Sequence, residues 1–565
     1  MSSPLSAQAT SPHWPAHLSH HLTLPETNLY YNAEVSAARY PDKPFIIFYG
    51  TPVTFAQFRD ETCRIAGYLQ QRCGVKAGDR VLLYMQNSPQ WIIAYYAILR
   101  ANAVVVPVNP MNQTEEVRHF VEDSGAHAAF VAQDLYERIA PLVGPDEAGL
   151  KHVLVATYSD YLKCAPDTSP PDFVAAPANV EGLGVTRWQA MLDARLEPGP
   201  LTAGPDDLCV MPYTSGTTGK PKGCMHTHRS VMSTAVGGVR WFGTDQESIQ
   251  LSVLPLFHVT GMTGGMNGSL YAGATIVVLP RWDRDVAARA IERYQISSWS
   301  AISTMVVDFV SNPRLGEYDL SSLKWIRGGG ATMPDAVVKK LRDLTGLEYL
   351  EGYGMSETMA ATHINPPQRP KAQCLGIPVF DVDSRVIDPD TLHEMPVGQV
   401  GELVVHAPQL MQGYWQNPDA TLETFIEIDG RQFLRTGDLV HVDDEGYYFM
   451  ADRLKRMINA SGYKVWPAEV EALMYRHAAI KEVCVIGAYD AKRGETVKAI
   501  VVLDPSRTVD VSEKDIADWA HENMAAYKAP RMVEFVDSLP KSGSGKILWR
   551  ALQESEALKH RKPTT

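Results

Sequence analysis

Between Pro44 and Val131 the chain alternates short apolar runs with amphipathic stretches, and this alternation restricts the fold more than any other feature. DRVLLYM reads as a strand, SPQWIIAYYAILRA as a helix with Pro89 near its first turn, and AVVVPVN as a second strand. TEEVRHFVEDSGA follows as a helix capped by Thr114, with Glu115 and Glu116 at its positive end. Strands joined through helices pair in parallel, and a parallel sheet must be covered on its faces, so the pattern predicts an α/β fold of helix-covered sheets.

The alternation is interrupted over residues 156–206 by PDTSPPDFVAAPANVEG and LEPGPLTAGPDD, which read as surface excursions. It resumes at LCVMPYT and continues through ATIVVLP, SSWSAIS and the helix MPDAVVKKLRDLTG, bounded by Pro334 and Gly346, to about residue 380. Residues 381–450 are richer in β pattern, with SRVID, GELVVHA and GYYFMAD between glycine and proline turns. After Asp452 the helices PAEVEALMYRH and SEKDIADWAHENMAA and the strands EVCVIGAYD, KAIVVLD and RMVEFVD predict a small α+β domain over 456–565. The expected division is an N-terminal arm (1–29), a large domain (30–452) with a β-rich subdomain, a connector (453–455) and the small domain.

A net charge of −13 argues against nucleic acid and against a polybasic membrane anchor, so the expected partners are small molecules. The seven cysteines are scattered and never form the close pairs of metal sites; free thiols in a reducing, cytoplasmic setting are expected. No apolar run approaches the ~20 residues that span a bilayer. The histidines of PHWPAHLSHHL have no cysteine or carboxylate cluster beside them, and a loosely ordered arm is the expectation there.

The strand LCVMPYT runs into TSGTTGKPKG, residues 214–223. Glycines let backbone N–H groups converge, hydroxyls add donors, and Lys220 and Lys222 add charge, which together can nest phosphate oxygens. The common P-loop would need glycine and Ser/Thr where Thr214 and Pro221 stand. A flexible turn without a ligand is the alternative for such a run alone. In YLEGYGMSET (349–358), Glu357 suits Mg²⁺ beside phosphates, or else is an acid in a capped first helical turn. In FLRTGDLVHVDDEGYYFMADRLK (433–455), Asp438 can accept ribose hydroxyls and Arg453 can bind ribose or phosphate oxygens; such residues also serve turns and salt bridges. NASGYKVWPAEVE (459–471) is by spacing only a helix start, and LPKSGSGKI (539–547) presents Lys546 on a glycine-rich loop. SVLPLFHVTGMTGGMNGSLYAGA (252–274) mixes apolar residues with glycines, as a closely packed buried helix also would.

YTSGTTGKPKG resembles the signature of the adenylate-forming superfamily, which includes acyl-CoA synthetases, nonribosomal adenylation domains and beetle luciferases. The other blocks match that superfamily in order from about residue 30 to 552. The resemblance implies that Thr214, Ser215, Gly216, Thr217, Thr218, Gly219, Lys220 and Lys222 hold ATP phosphates. Gly330, Ala331, Gly352, Tyr353, Gly354, Met355 and Ser356 would line the nucleotide site, Thr358 would donate to the α-phosphate, and Glu357 would reach Mg²⁺. Asp438 and Arg453 become ribose ligands, Lys455 the hinge, and Ser461, Gly462, Tyr463 and Lys464 CoA-side residues. Lys546 is the leading catalytic residue, with Glu357, Thr218 and Lys222 assisting. His258, Val259, Gly261, Met262, Ser303, Thr304, Gly328 and Gly329 are expected around the acyl group; Gly328, Gly329 and Gly330, with no side chains to close the site, leave room for a chain.

The chemistry this implies is attack of a carboxylate on the α-phosphate of ATP, loss of pyrophosphate, and capture of the acyl-adenylate by coenzyme A after the small domain rotates about Lys455. WIRGGGATMP with LTGLEYLEGYGMSET looks most like bacterial medium- and long-chain fatty acyl-CoA ligases. Many aryl-CoA ligases carry a Pro-Pro pair near Ser303 and Thr304, and amino-acid-activating domains carry an aspartate near Phe257; neither stands here. An aryl acid or a carrier protein as acceptor is the alternative. A non-catalytic scaffold would be expected to have lost one of Lys222, Glu357, Asp438, Arg453 and Lys546, and all five are present. Homodimers and peripheral membrane contact both occur as expectations for similar ligases.

Overall fold

The computed structural model describes residues 11–144, 149–214, 221–329, 333–453, 456–460, 463–490, 494–504, 511–541 and 547–559. They pack as two compact units: one runs to Asp383 and takes in Val405–Leu434, and the other holds Ser384–Val404 and the chain from Arg435 onward. The β-rich stretch expected over 381–450 is thus shared between them.

The first unit carries two large sheets, and the expected strands form both. In one, Leu208–Val210, Val104–Pro107, Arg80–Tyr84, Ala128–Ala132, His152–Ala156 and Val185–Arg187 pair in parallel in that order, with the antiparallel His226–Thr227 at one edge. In the other, Tyr349–Met355, Trp325–Gly329, Ser298–Ser300, Ile249–Ser252, Thr275–Val278 and Pro44–Phe48 are parallel, with antiparallel strands added at both edges. The helix Pro89–Arg100 is buried at every residue but the last, as expected of a helix apolar all round, and Ser88 caps it by accepting from Trp91 N–H. The next helix begins at Thr114 itself, so the expected cap shifts by one: the Glu116 carboxylate accepts from the N–H of Gln113, 2.7 Å away.

One expectation and one alternative reading change. Residues 11–29 are not a loose arm: Trp14 packs edge-on against Trp241 at 5.1 Å and Phe380 at 5.3 Å, and Leu22 N–H donates to the Asp381 carboxylate. Burying one indole between two rings supplies enough apolar area to hold such a segment. The segment Val259–Ala272 is not one regular helix, because a π-turn over Thr263–Asn267 separates short α segments.

In the second unit, Ile480–Asp490 and Gly494–Leu503 form a long antiparallel pair, joined by Met532–Phe535, Ile458–Ala460 and Tyr463–Val465. Helices Pro467–Met474 and Glu513–Asn523 cover this sheet through Val470, Met474 and Ile516, and Ser512 caps the second of them. Among the described residues no helix is long and apolar enough to cross a membrane, and none of the seven cysteines forms a disulfide, five of them being buried.

Candidate active site

Tyr213–Thr214 and Lys222–Gly223 form a two-stranded hairpin in which Thr214 and Lys222 are cross-strand partners. The two ends of the glycine-rich loop are therefore held about 5 Å apart. Ser215, Gly216, Thr217, Thr218, Gly219 and Lys220 lie outside the described residues. The hairpin is anchored on both sides: Tyr213 donates its hydroxyl to Asp123, and Trp415 N–H donates to Gly223 O at 2.8 Å. Met225 N–H in turn donates to Gly413 O at 3.0 Å, which lays the segment Gly413–Trp415 along the hairpin. As a result the Lys222 ammonium sits 4.9 Å over the Tyr414 ring.

Tyr414 links this lysine to the second block. Its hydroxyl donates to Glu357 Oε1 at 2.8 Å, and Met411 N–H donates to Glu357 O at 2.9 Å. Burial, with the Glu357 charge adding to it, pushes the Tyr414 phenol far above its usual range, so it stays a donor. Ser356–Thr358 forms a short 3₁₀ turn at the end of the strand Tyr349–Met355. His226 pins that turn by donating from Nε2 to Ser356 O at 2.7 Å; burial holds its imidazole near 4, hence neutral.

The side chains of the block are not equally available. Gly354 is exposed, Gly352, Met355 and Ser356 are half-buried, and Tyr353 is buried with its ring edge-on to His363 at 5.9 Å. Thr358, expected to donate to a phosphate, is fully buried, and its hydroxyl donates to Ala360 O at 2.7 Å while accepting from Met355 N–H. One hydroxyl proton cannot serve two acceptors well, so in this arrangement Thr358 shapes the turn instead. Glu357 is buried at 6% exposure, yet its carboxylate leads the block toward Lys222 through Tyr414. No group of three His, Cys, Asp or Glu side chains converges among the described residues. A single carboxylate suits Mg²⁺, which keeps several waters and takes phosphate oxygens, better than it suits metals that need a complete protein cage.

The expected acyl residues divide. His258 is exposed and accepts from Thr260 N–H at the start of the helix Val259–Met262, in which Val259 and Met262 are buried. Ser303 is half-buried and Thr304 exposed on the helix Ser303–Val310. Gly328 and Gly329 do not leave the expected room, and Gly261 is packed in the same way. A Cβ on Gly328 would lie 1.7 Å from Ala301 O, one on Gly329 2.1 Å from Gly352 O, and one on Gly261 2.3 Å from Pro255 O. Backbone of the same unit, not an open pocket, fills the space beside these three glycines. Gly330 and Ala331 lie outside the described residues.

In the second unit the strand register sets Asp438 opposite Arg453. Gly437 has φ 68°, a conformation that favours glycine, and Glu402 accepts from Gly437 N–H and from Arg435, which fixes the turn before Asp438. Of Arg453, Tyr463 and Lys464 only the backbone is described, with Tyr463 paired to Ala460 and Lys464 to Asn459. Lys455, Ser461, Gly462 and Lys546 lie outside the described residues.

Comparison with known proteins accounts for this arrangement. Residues 33–415 match the AMP-binding enzyme family, and residues 469–546 match the AMP-binding enzyme C-terminal domain. The chain belongs to the AMP-binding enzyme family. This AMP-binding enzyme is 34% identical over 559 residues to a long-chain-fatty-acid–CoA ligase of Bacillus subtilis (strain 168), covering 97% of this chain and 98% of that one. It is 33% identical over 536 residues to a long-chain-fatty-acid–CoA ligase of Escherichia coli O6:H1, covering 92% and 93%. A crystal structure of an anthranilate CoA ligase in complex with anthranoyl-AMP superposes with a TM-score of 0.81 at 25% identity, covering 95% of this chain and 98% of that one. The chemistry of the enzyme is therefore that of the acyl- and aryl-CoA ligases. Tyr414 and His226, which set Glu357 and Ser356, were not singled out by the sequence; nothing in MQGYW or CMHTH ties them to the distant Glu357 and Ser356.

Proposed function

We propose that this AMP-forming acid–thiol ligase activates a medium- or long-chain fatty acid with ATP and Mg²⁺ and transfers the acyl group to coenzyme A. The observation that carries the reading is the chain of contacts from Lys222 over the Tyr414 ring to the Glu357 carboxylate, at the base of the hairpin that presents the glycine-rich loop. It joins a cation suited to phosphate oxygens and a carboxylate suited to a hard metal in one place. The long-chain-fatty-acid–CoA ligases at 33–34% identity support the choice of acid.

In this reading a carboxylate, itself a poor electrophile, attacks the α-phosphate of ATP. Lys222 and the loop hold the phosphates as pyrophosphate departs. Bound at Glu357, Mg²⁺ supplies charge neutralisation on the phosphate oxygens. Tyr414 orients Glu357, and neutral His226 keeps the Ser356–Thr358 turn in register. Lys546 stabilises charge building between carboxylate and α-phosphate. A swing about Lys455 then exchanges Lys546 for the Gly462 loop, and the CoA thiol displaces AMP. Asp438 and Arg453 hold the ribose. A cytoplasmic setting and a homodimer belong to the same proposal.

The test is AMP release with ATP, Mg²⁺ and CoA across acetate, benzoate, cinnamate and saturated fatty acids of increasing length. CoA-dependent turnover that rises with chain length agrees with the proposal. A maximum at benzoate or cinnamate moves the enzyme to the aryl-CoA ligases, and adenylation indifferent to CoA moves it to carrier loading.

A further inference from the structure

Arg327 lies two residues before Gly329 on the strand Trp325–Gly329, and sheet alternation puts its side chain on one face with Gln250, Ser252, Ser298 and Ser300 of the neighbouring strands. The face is polar although it is interior: Arg327 is 9% exposed, Gln250 3% and Ser252 2%. The guanidinium donates to two neutral oxygens, Ser300 Oγ at 3.3 Å and Gln250 Oε1 at 3.2 Å, and stands 4.2 Å over the Phe242 ring. No carboxylate among the described residues pairs with it. Burial pushes its pKa down to about 10, which still leaves it charged at neutral pH. A buried cation with five donors and no anion is costly, and retained examples are normally paired. On the same face the Ser252 hydroxyl has no hydrogen-bond partner among the described residues.

The π-turn facing this cluster packs close against it at two glycines. A Cβ on Gly264 would meet Ser300 Oγ at 3.5 Å, and one on Gly265 would meet Ser252 Oγ at 2.9 Å, both from the π-turn Thr263–Asn267. π-turns concentrate at functional sites, and in this one Thr263 Oγ1 and Asn267 Nδ2 are buried without partners among the described residues. A purely aliphatic tail laid against this face would leave the Arg327 charge without an anion and the Ser252 hydroxyl without a partner.

We infer that Arg327, with Gln250 and Ser252, receives a second carboxylate on the acid that the enzyme activates, so that the substrate class is dicarboxylic acids of medium chain length. The inference rests on the ligase reading above and narrows it. Along the strand and across to the strand of Gln250, the distance from Gly329 to the cluster is on the order of 10 Å. The far carboxylate accepts from the free edge of the guanidinium and from Ser252, giving the charge its missing partner.

The experiment compares kcat/KM for AMP release with hexanedioate, octanedioate and decanedioate against the matching monoacids, in wild type, Arg327→Met and Arg327→Lys. Wild type should favour its best diacid over the monoacid of equal length by at least about tenfold. Arg327→Met should lower the diacid value by at least about thirtyfold and raise the monoacid value, while Arg327→Lys restores part of the diacid preference. Equal losses on both acids in the Met variant would make Arg327 a structural residue and overturn the inference. Wild-type turnover of monoacids without diacids overturns it without any variant and leaves the ligase reading standing. Silence on every acid overturns both.

Discussion

Replacing Gly328 by alanine separates two explanations for the glycine run RGGGA. An added Cβ would lie 1.7 Å from Ala301 O and 2.3 Å from Tyr349 Oη. The end of the strand Ser298–Ser300 would have to retreat by more than 1 Å. That retreat loosens two hydrogen bonds, Ala301 N–H to Arg327 O at 2.8 Å and Tyr349 hydroxyl to Ala301 O at 2.7 Å. At about 1 kcal/mol for each bond, plus about 1–3 kcal/mol for overpacking, Gly328→Ala should cost about 3–5 kcal/mol. Gly316→Ala is the control, since nothing lies within 4 Å of its Cβ. Urea unfolding of both variants should show a lower midpoint for Gly328→Ala and a near-parental one for Gly316→Ala. If Gly328→Ala unfolds with wild type and merely loses turnover of bulky acids, the strand-packing explanation is wrong and the glycine serves pocket room.

Three further outcomes are expected. Tyr414→Phe keeps the ring under Lys222 but removes the bond to Glu357, so kcat should fall about tenfold and the Mg²⁺ needed for half-maximal rate should rise; an unchanged Mg²⁺ titration would show that Tyr414 does not orient Glu357. Lys546→Ala should abolish acid-dependent pyrophosphate exchange, and exchange at the parental rate would remove Lys546 from the adenylation step. Burial pushes the Glu351 carboxyl up to about 7 from 4.5, against the N–H groups of Met333 and Cys374 that work the other way. Because its folded pKa is raised, its contribution is fully present below about 4.5 and is lost as pH rises through about 7. Stability should therefore decline over that window by up to about 3 kcal/mol, and Glu351→Gln should flatten the decline in denaturation midpoints measured from pH 5 to 8.

The strands and helices were legible because each repeats at a fixed period within a dozen residues, as the Pro89–Arg100 helix and the Arg80–Tyr84 strand illustrate. Tyr414 and His226 were not, because the groups they hold lie 57 and 130 residues away in sequence. Trp14 likewise meets partners at Trp241 and Phe380 that no local pattern announces. Gly328 shows a different limit: a glycine in sequence reports that a side chain is missing, and only the fold reports that Ala301 O occupies the space. Thr358 was visible as a hydroxyl beside Glu357, but its commitment to Ala360 O depends on the strand reversal after it.

The most direct test of the account is exchange of labelled pyrophosphate into ATP by the wild-type enzyme with Mg²⁺ and a carboxylic acid, in the absence of CoA. Reversible adenylate formation predicts exchange that requires the acid and yields AMP once CoA is added. Acid-dependent cleavage of ATP to ADP and phosphate, without exchange, would contradict it.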